Sequence, residues 1–317
     1  MPLSAEHEGL HPAGSDDADW QESVYLAWRD ARSGLGGNHR IGNELNRRTA
    51  NLWCGVYHQD GTRFRCNKEG DALRPLEEPG LCAGPQRLAL DGEDLVFTLD
   101  GEGCTAVLHI IDDPGSLAEA GATAFGGTTG AAGTIFSNNF HLFCRVHGTV
   151  ELDGRTWEVD APAWRDHSWG VRRWDSFVSS RSFGGSAGDL QFRYGSMVGT
   201  NGSFFRHGSL EHGGQALEVA SADMVVLVDD DSVRCRGADV RYHLADGAVT
   251  VVRMRTIGGM VGSTAQRCGW ECVGDVEVDG TDSGWAFLEV NLNARNGADA
   301  PMFVLDEAMT NGVRRPE

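Results

Sequence analysis

Short stretches of alternating apolar and polar residues, each closed by Gly, Asp or Asn, recur along the chain from Trp20 onward. The pattern predicts strands at Ser23–Arg29, Ala50–His58, Arg87–Leu90, Leu95–Leu99, Thr105–Ile110 and Phe140–Val150. Leu152-Asp153-Gly154-Arg155 leads into Thr156–Val159, which reads as a β-hairpin closed by an Asp-Gly turn. The second half repeats the rhythm at Trp174–Ser182, Leu190–Val198, Ser203–Leu210, Ala216–Val228, Val233–Leu244, Val249–Ile257, Ala265–Val278 and Gly284–Asn293. Between Asp113 and Ser137 the pattern lapses, leaving room for a lid or crossover with a short helix near Leu117–Ala120.

No long amphipathic helix interrupts these strands. Two antiparallel barrels in tandem, with few short helices, are the economical architecture, because closure removes the edges that so many strands would expose. The expected divisions are a flexible tail at 1–18, a first barrel over 19–160, a second over 161–305 and a tail at 306–317. A chain of 317 residues supports two such cores, and 43 Gly against 9 Pro suits tight turns between short strands.

A formal charge of -19 argues against nucleic acid as a partner, since phosphate backbones are repelled. The acidic start lacks the basic flank and apolar run of a secretory signal, and no run approaches the ~18 apolar residues of a membrane span. A cytoplasmic location is expected. Eight cysteines without a CxxC pair read as reduced, mostly buried thiols.

Between the halves, Trp164-Arg165-Asp166-His167-Ser168-Trp169-Gly170-Val171-Arg172-Arg173-Trp174 gathers three tryptophans, three arginines, an Asp and a His. Such crowding suits a partly desolvated pocket wall with paired charges. A carboxyl placed there holds its proton nearer to neutrality and can pass it to carbon, while indole faces stabilise developing positive charge. The structural reading of the same residues stays open: Asp166 could pair with Arg165, Arg172 or Arg173 and hold the turn between the halves.

The Asp-His-x-Trp-Gly motif at 166–170 resembles the signature of AttH-like and carotenoid 1,2-hydratase-like proteins, which are tandem lipocalin-type barrels. The resemblance covers the layout from about Trp20 to Asn293. It implies acid/base chemistry without a cofactor on an apolar, isoprenoid-, terpenoid- or steroid-like molecule, by hydration, dehydration or isomerisation of a carbon–carbon double bond. Functional roles carry over to His167, Trp169 and Tyr194. Ser196 stands where the hydratases have Asp after that Tyr, which leaves Asp166 as the substitute acid.

The expected catalytic set is therefore Asp166, His167 and Tyr194, with Trp169, Trp174, Arg172, Trp28, His39 and Trp53 at the substrate. In a strand from Ser23, Glu22 shares a face with Trp28, and His39 falls in a glycine-flanked turn near a pocket mouth. No metal is expected, because His141, His147, His207, His212 and His243 stand singly without HxH or HExxH spacing, and a centre could arise only by long-range convergence. Nucleotide motifs and Gly-x-Ser-x-Gly are absent as well. A carrier for the same apolar ligand is the rival to the enzyme. A homodimer stays open.

Overall fold

The structure, a computed structural model, describes residues 10–72, 80–92, 94–113, 138–174, 177–200, 204–229, 234–263, 268–293 and 313–314. They form two compact units, divided between Arg173 and Trp174. Each is a nearly closed sheet, antiparallel throughout except for a short parallel edge strand in the second, and the described residues contain no α-helix. The helix expected near Leu117–Ala120 lies outside them.

The first unit contains β1 (Trp20–Asp30), β2 (Leu35–Glu44), β3 (Thr49–His58), β4 (Arg63–Ala72), β5 (Leu81–Ala83), β6 (Gln86–Asp91), β7 (Asp94–Gly101), β8 (Cys104–Asp112), β9 (Asn138–Leu152) and β10 (Arg155–Val171). Their order is β4-β3-β2-β1-β10-β9-β8-β7-β6-β5. The expected Asp-Gly hairpin joins β9 to β10, with Asp153 and Gly154 at φ of 52° and 73°. Two successive positive φ values match the right-handed twist of the flanking strands. Closure uses a side chain: Gln86, wholly buried, donates through Nε2 to the Arg40 carbonyl at 3.0 Å and the Trp53 carbonyl at 3.4 Å.

Alternation decides what fills this barrel. Val24, Leu26 and Trp28 of β1 join Val159, Ala161 and Ala163 of β10, with Phe97, Leu108 and Val146, in one apolar core. By parity Glu22, Arg165 and His167 face the same side, whereas Trp164, Asp166 and Ser168 face the other.

Two expectations are corrected here. The boundary at 160/161 falls inside β10, which pairs with β9 and β1 out to Trp169 and Val171, so residues 164–171 are a strand of the first barrel and no linker. Nor are residues 10–19 loose. Leu10 packs on the core, Arg173 pairs with Asp17 at 2.5 Å and with Asp19, and the same guanidinium holds the Asp17 carboxyl below its usual range.

The second unit contains β11 (Phe177–Ala187), β12 (Leu190–Gly199), β13 (Phe204–His212), β14 (Gln215–Leu217), β15 (Val219–Val228), β16 (Cys235–Leu244), β17 (Val249–Ser263), β18 (Cys268–Val278), β19 (Thr281–Leu292) and β20 (Val313–Arg314). The order β14-β13-β12-β11-β19-β18-β17-β16-β15-β20 repeats the arrangement of the first unit except at its end, where β20 adds parallel to β15. Phe183, Phe192, Tyr194, Met224, Val240, Tyr242 and Leu288 lie in its core.

Candidate active site

Neighbouring residues of a strand point to opposite faces, and this separates Asp166 from His167. His167 turns into the barrel. Asp166, half-buried, lies on the outward face, opposite Tyr25 on β1 and His141 on β9. The expected Asp166–His167 pair is therefore not formed.

The carboxylate beside His167 belongs to Glu22. Its Oε1 lies 2.8 Å from His167 Nε2, and the two side chains are 0% and 1% exposed. The β1–β10 register sets Val24 opposite His167, which places Glu22 one interior position along and within reach of the ring. His11 completes the group. Its Nδ1 lies 2.7 Å from the same Oε1, its backbone N–H donates to Oε2 at 2.9 Å, and its ring stacks on Trp169 at 3.9 Å and 5°.

With Glu22 ionised, its oxygens accept from both imidazoles and from the His11 amide. His167 then carries its proton on Nε2 and leaves Nδ1 bare. That Nδ1 is buried and has no hydrogen-bond partner among the described residues. Phe140 meets the ring edge-on with centroids 5.5 Å apart, and Trp169 does so at 5.3 Å. A carboxylate fixing one imidazole nitrogen while the other stays open is the arrangement of a general base. It takes a proton at the open nitrogen, and the carboxylate balances the resulting charge.

Histidine ligands from distant positions do converge here, which spacing along the chain could not show. The donor atoms of His11, Glu22 and His167 lie within 4.8 Å of one another. The separations favour hydrogen bonds over coordination: tetrahedral ligands on bonds of ~2.0–2.1 Å stand about 3.3 Å apart, wider than the 2.7 and 2.8 Å found.

The other expected residues scatter. His39 sits within β2, in the core, and not in a turn: its Nε2 accepts from the Trp28 indole at 3.1 Å and its Nδ1 faces Cys54 Sγ at 3.2 Å. Burial pushes its imidazole down to about 3, against a smaller opposing hydrogen bond from Gln86. Gly37 makes this contact feasible, since a Cβ there would stand 2.7 Å from both His39 Nε2 and Trp28 Nε1. Trp53 lies beneath the Arg40 guanidinium at 4.5 Å, opposite Arg40 in the β2–β3 register and on the other face from His39.

Arg172 donates to Ser168 Oγ, which lies 3.2 Å from Ser23 Oγ on the outward side. Arg165 forks onto Asp112 at 2.7 and 2.6 Å. Trp174 and Tyr194 belong to the second unit, where the Trp174 carbonyl accepts from Asn293 at 2.8 Å. Trp169 alone of the expected substrate residues touches the Glu22–His167 pair.

Residues 4–294 match the sequence family described as a domain of unknown function, DUF7064. The chain belongs to this DUF7064 family. No curated protein matches the sequence. The DUF7064 fold is similar to that of an AttH-type protein of Nitrosomonas europaea, at 12% identity and a TM-score of 0.61, covering 88% of this chain and 94% of that one. It is also similar to CghA bound to Sch210972, at 10% identity and 0.58, covering 86% and 89%. Kievitone hydratase of Nectria haematococca matches at 9% identity and 0.56, covering 86% and 88%. At these identities the likeness establishes the tandem-barrel fold, as the Asp-His-x-Trp-Gly resemblance implied. Among the described residues no helix is long and apolar enough to cross a membrane.

Proposed function

We propose that this DUF7064 protein is an acid/base enzyme, a hydro-lyase or isomerase, that moves a proton on a hydrophobic, isoprenoid- or steroid-like molecule without a cofactor. One observation carries the reading. His167 Nδ1 is a buried nitrogen with no hydrogen-bond partner among the described residues, on a ring whose other nitrogen is fixed by a fully buried carboxylate.

In an isomerisation, Nδ1 takes a proton from the carbon next to a double bond, and the electron pair of that C–H bond becomes the new double bond. The imidazolium so formed faces Glu22, which offsets its charge in surroundings that water does not level. Returning the proton to the far carbon restores neutral His167. In dehydration the same nitrogen takes the carbon-bound proton and passes it to the departing hydroxide, which leaves as water while the C–H electron pair forms the double bond, and hydration reverses both transfers. The aromatic walls of Phe140 and Trp169 suit an apolar skeleton.

The interior cavity further into this barrel, lined by Val24, Leu26, His39, Phe97 and Arg165 among others, measures about 10 Å³, the space of a single water. That space is too small for a terpenoid, whether carried or converted, and so does not separate the enzyme from the carrier.

The test is incubation of the purified chain with terpenoid and steroid alkenes, alcohols and enones in deuterated water, read by mass spectrometry. Deuterium appearing on carbon supports the enzyme. Tight binding of a compound with no exchange in any of them supports the carrier and defeats the proposal.

A further inference from the structure

Outside the Glu22–His167 site, the second unit holds a larger and differently charged cavity. It measures about 210 Å³ and opens where β13 and β15, on either side of the gap in the sheet, come side by side. Parity along β11 and β12 turns Arg181 and Ser179, then Tyr194 and Ser196, inward next to the core residues Phe183 and Phe192. Across the gap Arg206 of β13 reaches Asp223 of β15 at 2.5 Å. Arg241 stands opposite Asp223 in the β15–β16 register, exposed at the rim.

The lining thus carries three guanidiniums, Arg181, Arg206 and Arg241, and one carboxylate, Asp223, in a chain whose overall charge is -19. Hydrophobic packing does not call for this. Arg181 is only 9% exposed, Ser196 9% and Tyr194 4%, so a positively charged group is held at a wall with hydroxyls beside it. A buried Arg retains its proton under all ordinary conditions, and its planar fork matches a carboxylate or phosphate edge. Burial pushes the Tyr194 hydroxyl up, keeping it a donor at neutral pH.

We propose that the second unit binds a small oxyanion, a carboxylate or phosphate, in this cavity, with Arg181 and Arg206 meeting its charge and Tyr194 and Ser196 donating to its oxygens. Arg241 at the rim draws the anion in against the field of an acidic protein. The volume suits a small acid or a phosphate head group. Tyr194, expected at the catalytic centre by family resemblance, acquires a binding role here that does not depend on the Glu22–His167 chemistry.

Titration calorimetry of the full chain in low-salt buffer with inorganic phosphate, and separately with succinate, tests this against sodium chloride of equal ionic strength. At least one of the two anions is expected to bind saturably at one site per chain. Phosphate alone identifies a phosphoryl ligand, succinate alone a carboxylate. Arg181→Gln should weaken binding at least ~10-fold, the loss of one charge-assisted contact, while His167→Gln leaves it unchanged. Should Arg181→Gln unfold, the exposed Arg241→Gln variant substitutes, with an expected loss of roughly threefold that vanishes at high salt. Neither anion binding beyond chloride, or unchanged affinity in the folded arginine variants, overturns the proposal.

Discussion

Glu22 Oε1 and His167 Nε2 lie 2.8 Å apart although 145 residues separate them in sequence. β1 and β10, the first and last strands of the barrel, are adjacent in its sheet, so closing the chain on itself brings the pair together. Both side chains are excluded from water, and their partner group, His11, arrives from the segment ahead of the first strand.

Substitutions on the two faces of β10 should separate chemistry from packing. Glu22→Gln and His167→Gln are expected to lower carbon deuteration roughly 10²–10⁴-fold, the range that a positioned acid/base group supplies. Asp166→Asn, on the outward face, should stay close to wild type. Turnover on any compound that the wild type deuterates is the measurement. Loss of activity in Asp166→Asn, with Glu22→Gln unaffected, would return the chemistry to the outward face.

His39 makes a pH prediction of fixed sign. Its native imidazole is pushed down to about 3, whereas an unfolded His takes up its proton near ~6.5. Between those values the unfolded state binds more protons, so this contribution is fully present above pH ~6.5 and is lost as pH falls toward 3. His39→Gln should remove up to ~1.4 kcal/mol per pH unit from the slope of stability in that window. Urea melts of both proteins between pH 4 and 8 would show it, and identical slopes would refute it.

Thiol chemistry should be selective. Burial pushes Cys104 up to about 12 and Cys54 well above its usual range, and both are at most 1% exposed. Thiolate is the reactive form. Iodoacetamide at pH 8 should therefore leave both unmodified in the native protein and label them after denaturation, read by peptide mass spectrometry.

Much of the fold was legible because local chemistry agreed with it. The Asp153-Gly154 turn, the alternation of β7 and β8 and the spacing of β15 to β19 all carry period-two signals. β2 was not legible. Its sequence LGGNHRIGNE reads as a turn, since the glycine that admits the Trp28–His39 contact also erases the alternation. Residues 164–171 misled for a related reason. β10 is largely buried on both faces here, so polar and aromatic side chains occur where a half-exposed strand would alternate. Of the side chains that meet at the candidate site, His167 and Trp169 were singled out by their motif. Glu22 was placed beside Trp28 but given no role, although an acid at a core-facing parity is the kind of anomaly that marks a site. Nothing in the sequence tied His11 to either.

The most direct check is a proton-detected correlation spectrum of the protein with ¹⁵N-labelled histidine, which reads the tautomer of His167 without needing a substrate. At pH 8, Nε2 should carry the proton and Nδ1 should be bare, with the preference lost in Glu22→Gln. A His167 protonated on Nδ1, or a tautomer unmoved by Glu22→Gln, would contradict the Glu22-oriented base.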